Sequence, residues 1–183
     1  MKSRTTTGAG SNPRSCASLT GSHGGAIALR PLTIASRDEI KTLVLDAEQE
    51  QFAGAVDAVF DGLQSSLYPD LEHPFAIVVR DQPVGFFILR EKQASPDWAP
   101  PGAVTLHSFR IARPCQGLGY GKTGVALALA CIRRERPSAR HLMLAVNARN
   151  LRARSLYLNS GFADTGAIVH GPIGDQHILS FEI

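Results

Sequence analysis

Residues 103–135, AVTLHSFRIARPCQGLGYGKTGVALALACIRRE, contain three local patterns in succession: a strand, a glycine-rich turn and a helix. Residues 103–112 include β-branched and aromatic side chains without Gly or Pro, and Arg113-Pro114 ends them, which is typical of a strand. Beyond the glycines, apolar residues recur at helical spacing: Val125, Ala128, Leu129 and Ile132. The glycines therefore lie at the N-terminus of a predicted helix.

The glycine-rich turn, Gln116-Gly117-Leu118-Gly119-Tyr120-Gly121, has the composition of an anion-binding site. Its glycines occupy alternate positions, so that Cβ atoms do not hinder the backbone N–H groups from pointing at one ligand. The positive end of the helix macrodipole lies at the same place. Since phosphate groups bind well to such helix N-termini, the turn predicts a phosphate-binding loop.

Three kinds of phosphate-binding loop compete for this turn, and the spacing separates them. Gly121-Lys122-Thr123 mimics the end of a nucleotide-triphosphate P-loop, but that motif requires Gly where this chain has Gln116. The dinucleotide motif G-x-G-x-x-G begins at Gly119, although it lies far from the preceding strand and the next strand ends at Asn147 instead of an acid. The third pattern, Q/R-x-x-G-x-G/A, begins at Gln116 and is matched in full.

A second motif, NLRARSLYLNSGF at residues 150–162, follows downstream. On a helix, Asn150, Ala153 and Tyr157 lie on one side. At 1.5 Å per residue, Asn150 and Tyr157 are roughly 10 Å apart, so this face can line one extended ligand. Gly161 is well placed to end the helix in the left-handed conformation.

Together the two motifs resemble those of the GNAT superfamily of acetyl-CoA-dependent N-acyltransferases, Q/R-x-x-G-x-G/A and N-x-x-A-x-x-L-Y-x-x-x-G-F. The resemblance is specific between residues 104 and 162. It implies acetyl-CoA as the cosubstrate and no metal, and the dinucleotide site stays as an alternative. The segments HPFAIVVRDQPVGFFILR and LHSFRIARPCQGLGYGK are most similar to bacterial polyamine acetyltransferases.

The element pattern of residues 26–183 agrees with that family. It reads β-α-α-β-β-β-α-β-α-β-β, with the first helix predicted from Ser36 to near Ala47 and the second from Ala53 to near Tyr68. The resemblance implies an α/β (α+β) GNAT fold: a mixed, largely antiparallel central sheet of about seven strands, flanked by helices on both faces and splayed between strands four and five. We expect a single domain over residues 26–183 and a disordered tail over residues 1–25, which lack acids and a hydrophobic period.

The composition is that of a soluble globular protein, with 183 residues, 44% hydrophobic and 19% charged. No apolar stretch approaches the ~20 residues that span a bilayer, and the N-terminus lacks the apolar core of a secretory signal. We therefore expect a cytoplasmic protein that does not bind membranes. The three cysteines show no metal-binding spacing, and the basic residues are not interleaved with aromatic ones, so neither a metal nor nucleic acid is expected as a ligand.

The resemblance also implies a role for each residue of the two motifs. Main-chain groups of Phe109 and Ile111 would pair with the pantetheine amides, and Asn150 would anchor the cofactor from the next helix. The pyrophosphate would be held by Gln116, Gly117, Leu118, Gly119, Tyr120, Gly121 and Lys122. Tyr157 would protonate the departing thiolate; because a phenol of pKa ~10 is a weaker acid than a thiol of pKa ~8.5, it must act through its position.

His107 is the candidate base that removes a proton from the attacking amine. An imidazole of pKa ~6.5 can accept a proton directly or through water. Strand alternation predicts that His107 shares a face with Thr105, Phe109 and Ile111. Relatives carry carboxylates at the positions of Thr105 or His107 and this chain does not, so a hydrogen-bonded core histidine stays an open alternative.

The expected acceptor is a primary amine of a small molecule, with polyamines as the favoured class, attacking the thioester directly through a tetrahedral intermediate. Glu48 and Glu50 lie in the region that shapes the GNAT acceptor pocket and could pair with distal ammonium groups; exposed acids at a helix end are the alternative. A non-catalytic acetyl-CoA sensor, or an acetylase of a protein or amino-acid amine, are alternative functions. Since relatives are often dimers, a homodimer is an expected assembly.

Overall fold

The computed structural model describes the backbone of residues 16–20 and all of residues 26–183. Within these ranges the strands are β1 (Cys16–Thr20), β2 (Ala26–Pro31), β3 (Glu72–Val79), β4 (Gln82–Glu91), β5 (Ala103–Ile111), β6 (His141–Asn147), β7 (Ala163–Gly171) and β8 (Gly174–Glu182). The α-helices are α1 (Arg37–Lys41), α2 (Ala47–Ala53), α3 (Val56–Gln64), α4 (Tyr120–Glu135) and α5 (Leu151–Leu158). None of the helices in the described part of the chain has the length and hydropathy needed to cross a membrane.

The strands form one mixed sheet of order β1-β2-β3-β4-β5-β6-β8-β7. Neighbouring strands are antiparallel except β5 and β6, which are parallel. A parallel pair needs a crossover connection, and α4 supplies it. The expected mixed, largely antiparallel sheet is therefore confirmed, and each predicted strand is present.

The edge strand β1 differs from the sequence expectation. It pairs antiparallel with β2, between Ala26 and Leu29. The disorder predicted for residues 1–25 therefore does not hold for Cys16–Thr20, because an edge strand takes its hydrogen bonds from a neighbouring backbone, which composition does not reveal. The rest of that tail, residues 1–15 and 21–25, lies outside the described residues.

Helices cover both faces of the sheet, as expected. On one face α4 buries Leu127, Ala128 and Ile132 completely in a core that it shares with the strands. On the other face α3 buries Phe60, whose ring stacks on Phe86 of β4 at a centroid distance of 5.8 Å. The sheet is thus the middle layer of the fold, and α4 is fixed firmly against it.

Residues 37–64 form three α-helices where the sequence predicts two. α1 ends at Lys41 instead of continuing toward Ala47, and α2 is a separate helix that ends at Ala53 and is capped by Gly54, whose φ is 77°. α2 buries none of its residues. Because no apolar stripe defines it, its bounds could not be read from hydrophobic periodicity.

β5 and β6 pair over three residues only, Ala103, Val104 and Thr105 of β5. Beyond Thr105 the two strands diverge, while β6 continues to pair with β8 as far as Asn147. The predicted splay between the fourth and fifth strands of the family is confirmed at this place. It leaves one side of β5 without a partner strand from Leu106 to Ile111 and opens a cleft in the sheet.

Candidate active site

The opening between β5 and β6, called here the β5–β6 cleft, has a volume of about 910 Å³. Its wall comes from β5, the end of β6, α2, and the N-terminal ends of α4 and α5. A cavity of this size can bury most of a small ligand. Ten predicted site residues line it: His107, Phe109, Ile111, Gln116, Gly117, Gly119, Gly121, Lys122, Asn150 and Tyr157.

Two predicted residues of the glycine loop, residues 116–122, lie off the wall. Leu118 is 46% exposed and points to solvent. Tyr120 begins α4 and packs its side chain against the core beneath the helix. For Leu118 and Tyr120, therefore, only the backbone groups, and not the side chains, can contact a ligand in the loop.

A β-bulge at Ser108 determines which side chains β5 presents to each face. Ser108 has a φ of 51°, and the pairing of β5 with β4 shifts by one residue here. His107 and Arg110 consequently lie on the face covered by α3, whereas Phe109 and Ile111 pack into the opposite core. The prediction that His107 shares a face with Phe109 and Ile111 is wrong, because one inserted residue inverts every position after it.

Gly117 and Gly119 open the space beside the N-terminus of α4. Their φ values are 79° and 83°, and a Cβ at either position would meet no atom within 4 Å. Thr123 is the first residue of the helix whose N–H turns back, to the carbonyl oxygen of Gly119. The N–H groups before it have no intrahelical acceptor, so they are available to an anion in that space. The site fits a pyrophosphate, and Lys122 and Arg152 in the wall add positive charge.

Gly121 serves packing more than ligand access. A Cβ there would approach the side chain of Leu156 on α5 to 3.2 Å. Gly124 is similar, since a Cβ would collide with Ile77 of β3. These two glycines let α4 lie close to its neighbours, so packing accounts for two of the three glycines in the G-x-G-x-x-G match.

The side chain of Gln116 is bound to protein groups. Its Nε2 donates to the carbonyl oxygen of Ile111 and to Oε1 of Gln49, both at 2.9 Å. Gln49 Nε2 donates in return to Gln116 Oε1 at 3.2 Å. Gln116 therefore holds the glycine loop to β5 and α2. Backbone N–H groups of the loop, and not the Gln116 side chain, would make any direct contact with a phosphate.

Asn150 caps α5. Its Oδ1 accepts from the N–H of Ala153 at 3.1 Å, which positions the helix that carries Tyr157. Asn147, at the end of β6, is buried and also lines the cleft. Its Nδ2 donates to the carbonyl oxygen of Ile173 at 3.3 Å, and its Oδ1 accepts from the N–H of Arg149. The two asparagines fix the turn between β6 and α5 at the open side of the cleft.

Tyr157 is held by aromatic contacts. Its ring lies edge-on to Phe109 and Phe162, at centroid distances of 6.1 and 5.6 Å. Burial raises the pKa of Tyr157 well above its usual value. The phenol therefore stays protonated across the physiological pH range and can act as a hydrogen-bond donor in the cleft.

His107 is half-buried, and its Nε2 lies 2.8 Å from Oγ1 of Thr105. Burial, and then the charge of Arg90, lower the pKa of His107 to about 3. Such an imidazole is neutral at physiological pH but is a weak base. It can hold a hydrogen bond, yet it cannot take a proton from an ammonium group at equilibrium.

The acidic residues predicted to bind the acceptor do not face the cleft. Glu48 and Glu50 are exposed on α2, and the cleft side of that helix presents Gln49 and Phe52 instead. Among the described residues, the wall contains no Asp or Glu at all. Nor do residues 16–20 and 26–183 contain a cluster of His, Cys, Asp and Glu suited to a metal ion.

The wall residues that sequence reasoning missed include Gln49, Trp98 and Arg110. Arg110 is only 3% exposed. A charged residue within a strand that is largely buried is rarely buried itself without a reason, and that signal was present in the sequence. Trp98 comes from the loop before β5, where only its size as the single Trp of the chain marks it.

Comparison with known protein families agrees with the site. The sequence model of the Acetyltransferase (GNAT) family matches residues 37–162, a range that includes both motifs. One relative, the uncharacterized N-acetyltransferase YbbJ of Bacillus subtilis, is 34% identical over 143 residues. That alignment covers 77% of this chain and 88% of YbbJ.

Solved structures share the fold. The aminoglycoside acetyltransferase AAC(6')-Ib in complex with coenzyme A has a TM-score of 0.71 and 19% identity, covering 85% of this chain and 94% of its own. RimJ of Mycobacterium smegmatis, in complex with CoA-disulfide, has a TM-score of 0.69 and 16% identity over 93% and 88% of the two chains. A chimera of the spermidine N-acetyltransferase SpeG from Vibrio cholerae and hSSAT has a TM-score of 0.63 and 20% identity over 85% and 95%. At these identities the likeness concerns the fold alone.

Proposed function

Because the chain belongs to the GNAT family of acetyltransferases, we propose that its β5–β6 cleft transfers the acetyl group of acetyl-CoA to a primary amine of a small molecule. The observation that carries this proposal is the three-residue pairing of β5 with β6. It leaves the backbone of β5 open along a cleft that connects the glycine loop with Tyr157.

The glycine loop would bind the pyrophosphate of acetyl-CoA. The free N–H groups of the first turn of α4 face the space left by Gly117 and Gly119. Lys122 and Arg152 would contribute positive charge, and the helix macrodipole acts in the same direction. The pantetheine arm would then run along the unpaired side of β5, where peptide groups can hydrogen-bond its amides.

The thioester would lie next to the bulge at Ser108. A bulge leaves backbone groups without a ladder partner, and a backbone N–H there can stabilise the oxyanion of a tetrahedral intermediate. The left-handed conformation of Ser108 costs on the order of 1 kcal/mol, which is typical of strain kept at functional sites.

Acetyl transfer would then proceed by direct attack. The nitrogen of the amine bonds to the carbonyl carbon, and the carbon–sulfur bond breaks as the intermediate collapses. Tyr157 donates its proton to the leaving thiolate, and the proton lost by the amine passes to solvent, from which the phenol is restored.

The amine would have to attack in its neutral form. His107 is too weak a base to generate it, so its role changes from the predicted base to a hydrogen-bond acceptor that orients the nitrogen. Within the described chain, the wall supplies the positive charge of Arg110 without any carboxylate to pair with it. Such an environment lowers the pKa of a bound ammonium group and favours its deprotonation.

The sequence favours polyamines as acceptors, but the proposed class of acceptors does not include them. A polyamine would bring a second ammonium group into a wall where the described residues offer no carboxylate for it. The predicted cytoplasmic location and homodimer remain predictions from the sequence.

The test is the release of free thiol from acetyl-CoA, measured with and without a panel of amines. The proposal expects release that depends on the amine and saturates with it. Tight acetyl-CoA binding without amine-dependent release would instead favour a sensor. Failure to bind acetyl-CoA would remove the proposal altogether.

A further inference from the structure

Arg110 is a buried cation in the wall of the cleft. It is 3% exposed, and its guanidinium lies over the ring of Phe86 at 5.8 Å. Its Nη2 donates to the carbonyl oxygens of Ala53 and Gly54 at the end of α2, at 3.1 and 2.6 Å. Its Nε is buried without a hydrogen-bond partner among the described residues.

The charge of Arg110 is not matched by a bound carboxylate. No described Asp or Glu lies within the 4 Å of an ion pair; Glu50 acts on it only through space, from the exposed side of α2. Burial lowers the pKa of Arg110 to about 10, so the group keeps its charge at physiological pH. Burying a charge without an opposite charge is unfavourable, so an anionic ligand bound beside Arg110 would be stabilised by it.

Arg90 provides the contrast within the same wall. Its Nε lies 2.7 Å from Oε1 of Glu72, so its charge is already balanced. Lys122 belongs to the glycine loop and Arg152 to the first turn of α5, and the phosphates of acetyl-CoA would use both. Arg110 is thus a cation of the cleft that neither a described acid nor the proposed cofactor accounts for.

We propose that the acceptor amine carries an anionic group, a carboxylate or a phosphate, which binds to Arg110. The inference rests on the proposed acetyl transfer and names the substrate class of that same site. The acceptor is then an amino acid or a similar zwitterion, and Arg110 is the residue that determines specificity.

The bulge at Ser108 gives this arrangement its geometry. It places His107 and Arg110 on the same face of β5. Because the bulge takes up one of the three residue steps between them, two steps of ~3.4 Å remain, and their backbone positions are roughly 7 Å apart along the strand. A small molecule can therefore bring its amine to His107 and the thioester while its anionic end reaches Arg110.

The experiment uses pairs of amines that differ in the anionic group alone. Lysine is compared with cadaverine, tryptophan with tryptamine, and phosphoethanolamine with ethanolamine; spermidine represents the polycations. The wild-type enzyme should prefer the anionic member of at least one pair by about tenfold or more in kcat/KM, the effect of one charge-assisted hydrogen bond. The carboxylate and phosphate pairs distinguish the two sources of the anion.

Variants at Arg110 and Glu50 then test whether Arg110 causes the preference for anionic acceptors. For each pair, the ratio compares kcat/KM of the anionic member with kcat/KM of the member that lacks the anionic group. Arg110→Gln should reduce this ratio toward one, and Arg110→Lys should keep part of the preference. Glu50→Gln should leave this ratio unchanged or raise it, because it removes a negative charge that acts on Arg110 through space. If Glu50 bound an acceptor ammonium, the same variant would instead lower the rate with spermidine.

The outcomes separate this inference from the proposed function. Amine-dependent thiol release with no preference for an anionic member, or with spermidine as the best acceptor, overturns the inference and leaves acetyl transfer intact. No release with any amine contradicts the proposed function itself. Because the wild-type comparison needs no substitution, the inference can fail even if the Arg110 variants do not fold.

Discussion

Gln49 and Gln116 exchange two side-chain hydrogen bonds, with N···O distances of 3.2 and 2.9 Å, and so join α2 to the glycine loop. α2 buries no residue of its own, so polar contacts must hold it in place. Arg113 forms an ion pair with Asp46 at its start, and Arg110 bonds to the carbonyl oxygens at its end. The helix that forms one wall of the cleft is therefore coupled to the loop that would bind the cofactor.

We predict that Gln49→Ala weakens acetyl-CoA binding, because Gln49 supports the glycine loop through Gln116. Loss of the amide pair should lower affinity about threefold to tenfold, the effect of one or two neutral hydrogen bonds. Titration calorimetry on Gln49→Ala, Gln116→Ala and the double variant measures the coupling. Glu48→Gln, on the exposed side of the same helix, is the control; additive effects of the two single variants would contradict the coupling.

Gly119→Ala should weaken acetyl-CoA binding by about tenfold or more. A side chain at this left-handed position strains the backbone by about 1 kcal/mol and places a Cβ where the pyrophosphate would lie. Gly102→Ala is a matched control, since Gly102 has a φ of 84°, equal open space and no part in the cleft. Both variants should lose similar stability in thermal unfolding. If Gly119→Ala and Gly102→Ala lost equal affinity for acetyl-CoA, backbone strain, and not a clash with the pyrophosphate, would be the cause.

Tyr157→Phe should lower kcat by about tenfold to a hundredfold and leave the affinity for acetyl-CoA nearly unchanged, because only the proton donor is removed. The aromatic contacts with Phe109 and Phe162 survive the substitution, so folding is preserved. Steady-state kinetics and equilibrium binding give the two quantities. Tyr68→Phe, at a half-exposed tyrosine away from the cleft, should have no effect; a Tyr157→Phe variant with wild-type kcat would exclude the phenol as the acid.

The pH dependence of kcat/KM should follow the acceptor and not His107. Because its pKa is lowered to about 3, His107 is neutral throughout the range from pH 5 to pH 9 and has no titration there. The rate should rise with pH up to the pKa of the amine, without an inflection near pH 6.5. His107→Gln should keep the shape of this profile at a lower rate, whereas an inflection near pH 6.5 that this variant removes would restore His107 as the base.

Much of the fold could be predicted from the sequence, because local patterns and two motifs agreed. The strands of the splayed sheet, α4 with its buried stripe, and the position of the glycine loop follow from periodicity and glycine placement. The elements that were missed lack such signals: β1 depends on the backbone of β2, and α2 has no apolar face. In both cases tertiary contacts, and not local sequence, determine the structure.

The site was predicted in its location but less well in its details. The bulge at Ser108 adds one residue to β5, which alternation cannot detect, and it exchanges the faces of Phe109 and Arg110. Glu48 and Glu50 were chosen by charge, yet the rotation of α2 turns them to solvent. Motifs thus identified the cofactor side of the cleft, whereas the acceptor side depends on geometry that only the structure provides.

The most direct test of the central claim is a crystal structure of the protein with coenzyme A bound. We expect the pyrophosphate within hydrogen-bonding distance of the first N–H groups of α4, beside Gly117 and Gly119, and the thiol next to Ser108 and Tyr157. A coenzyme A molecule bound outside the β5–β6 cleft, or with its thiol far from Tyr157, would contradict the account.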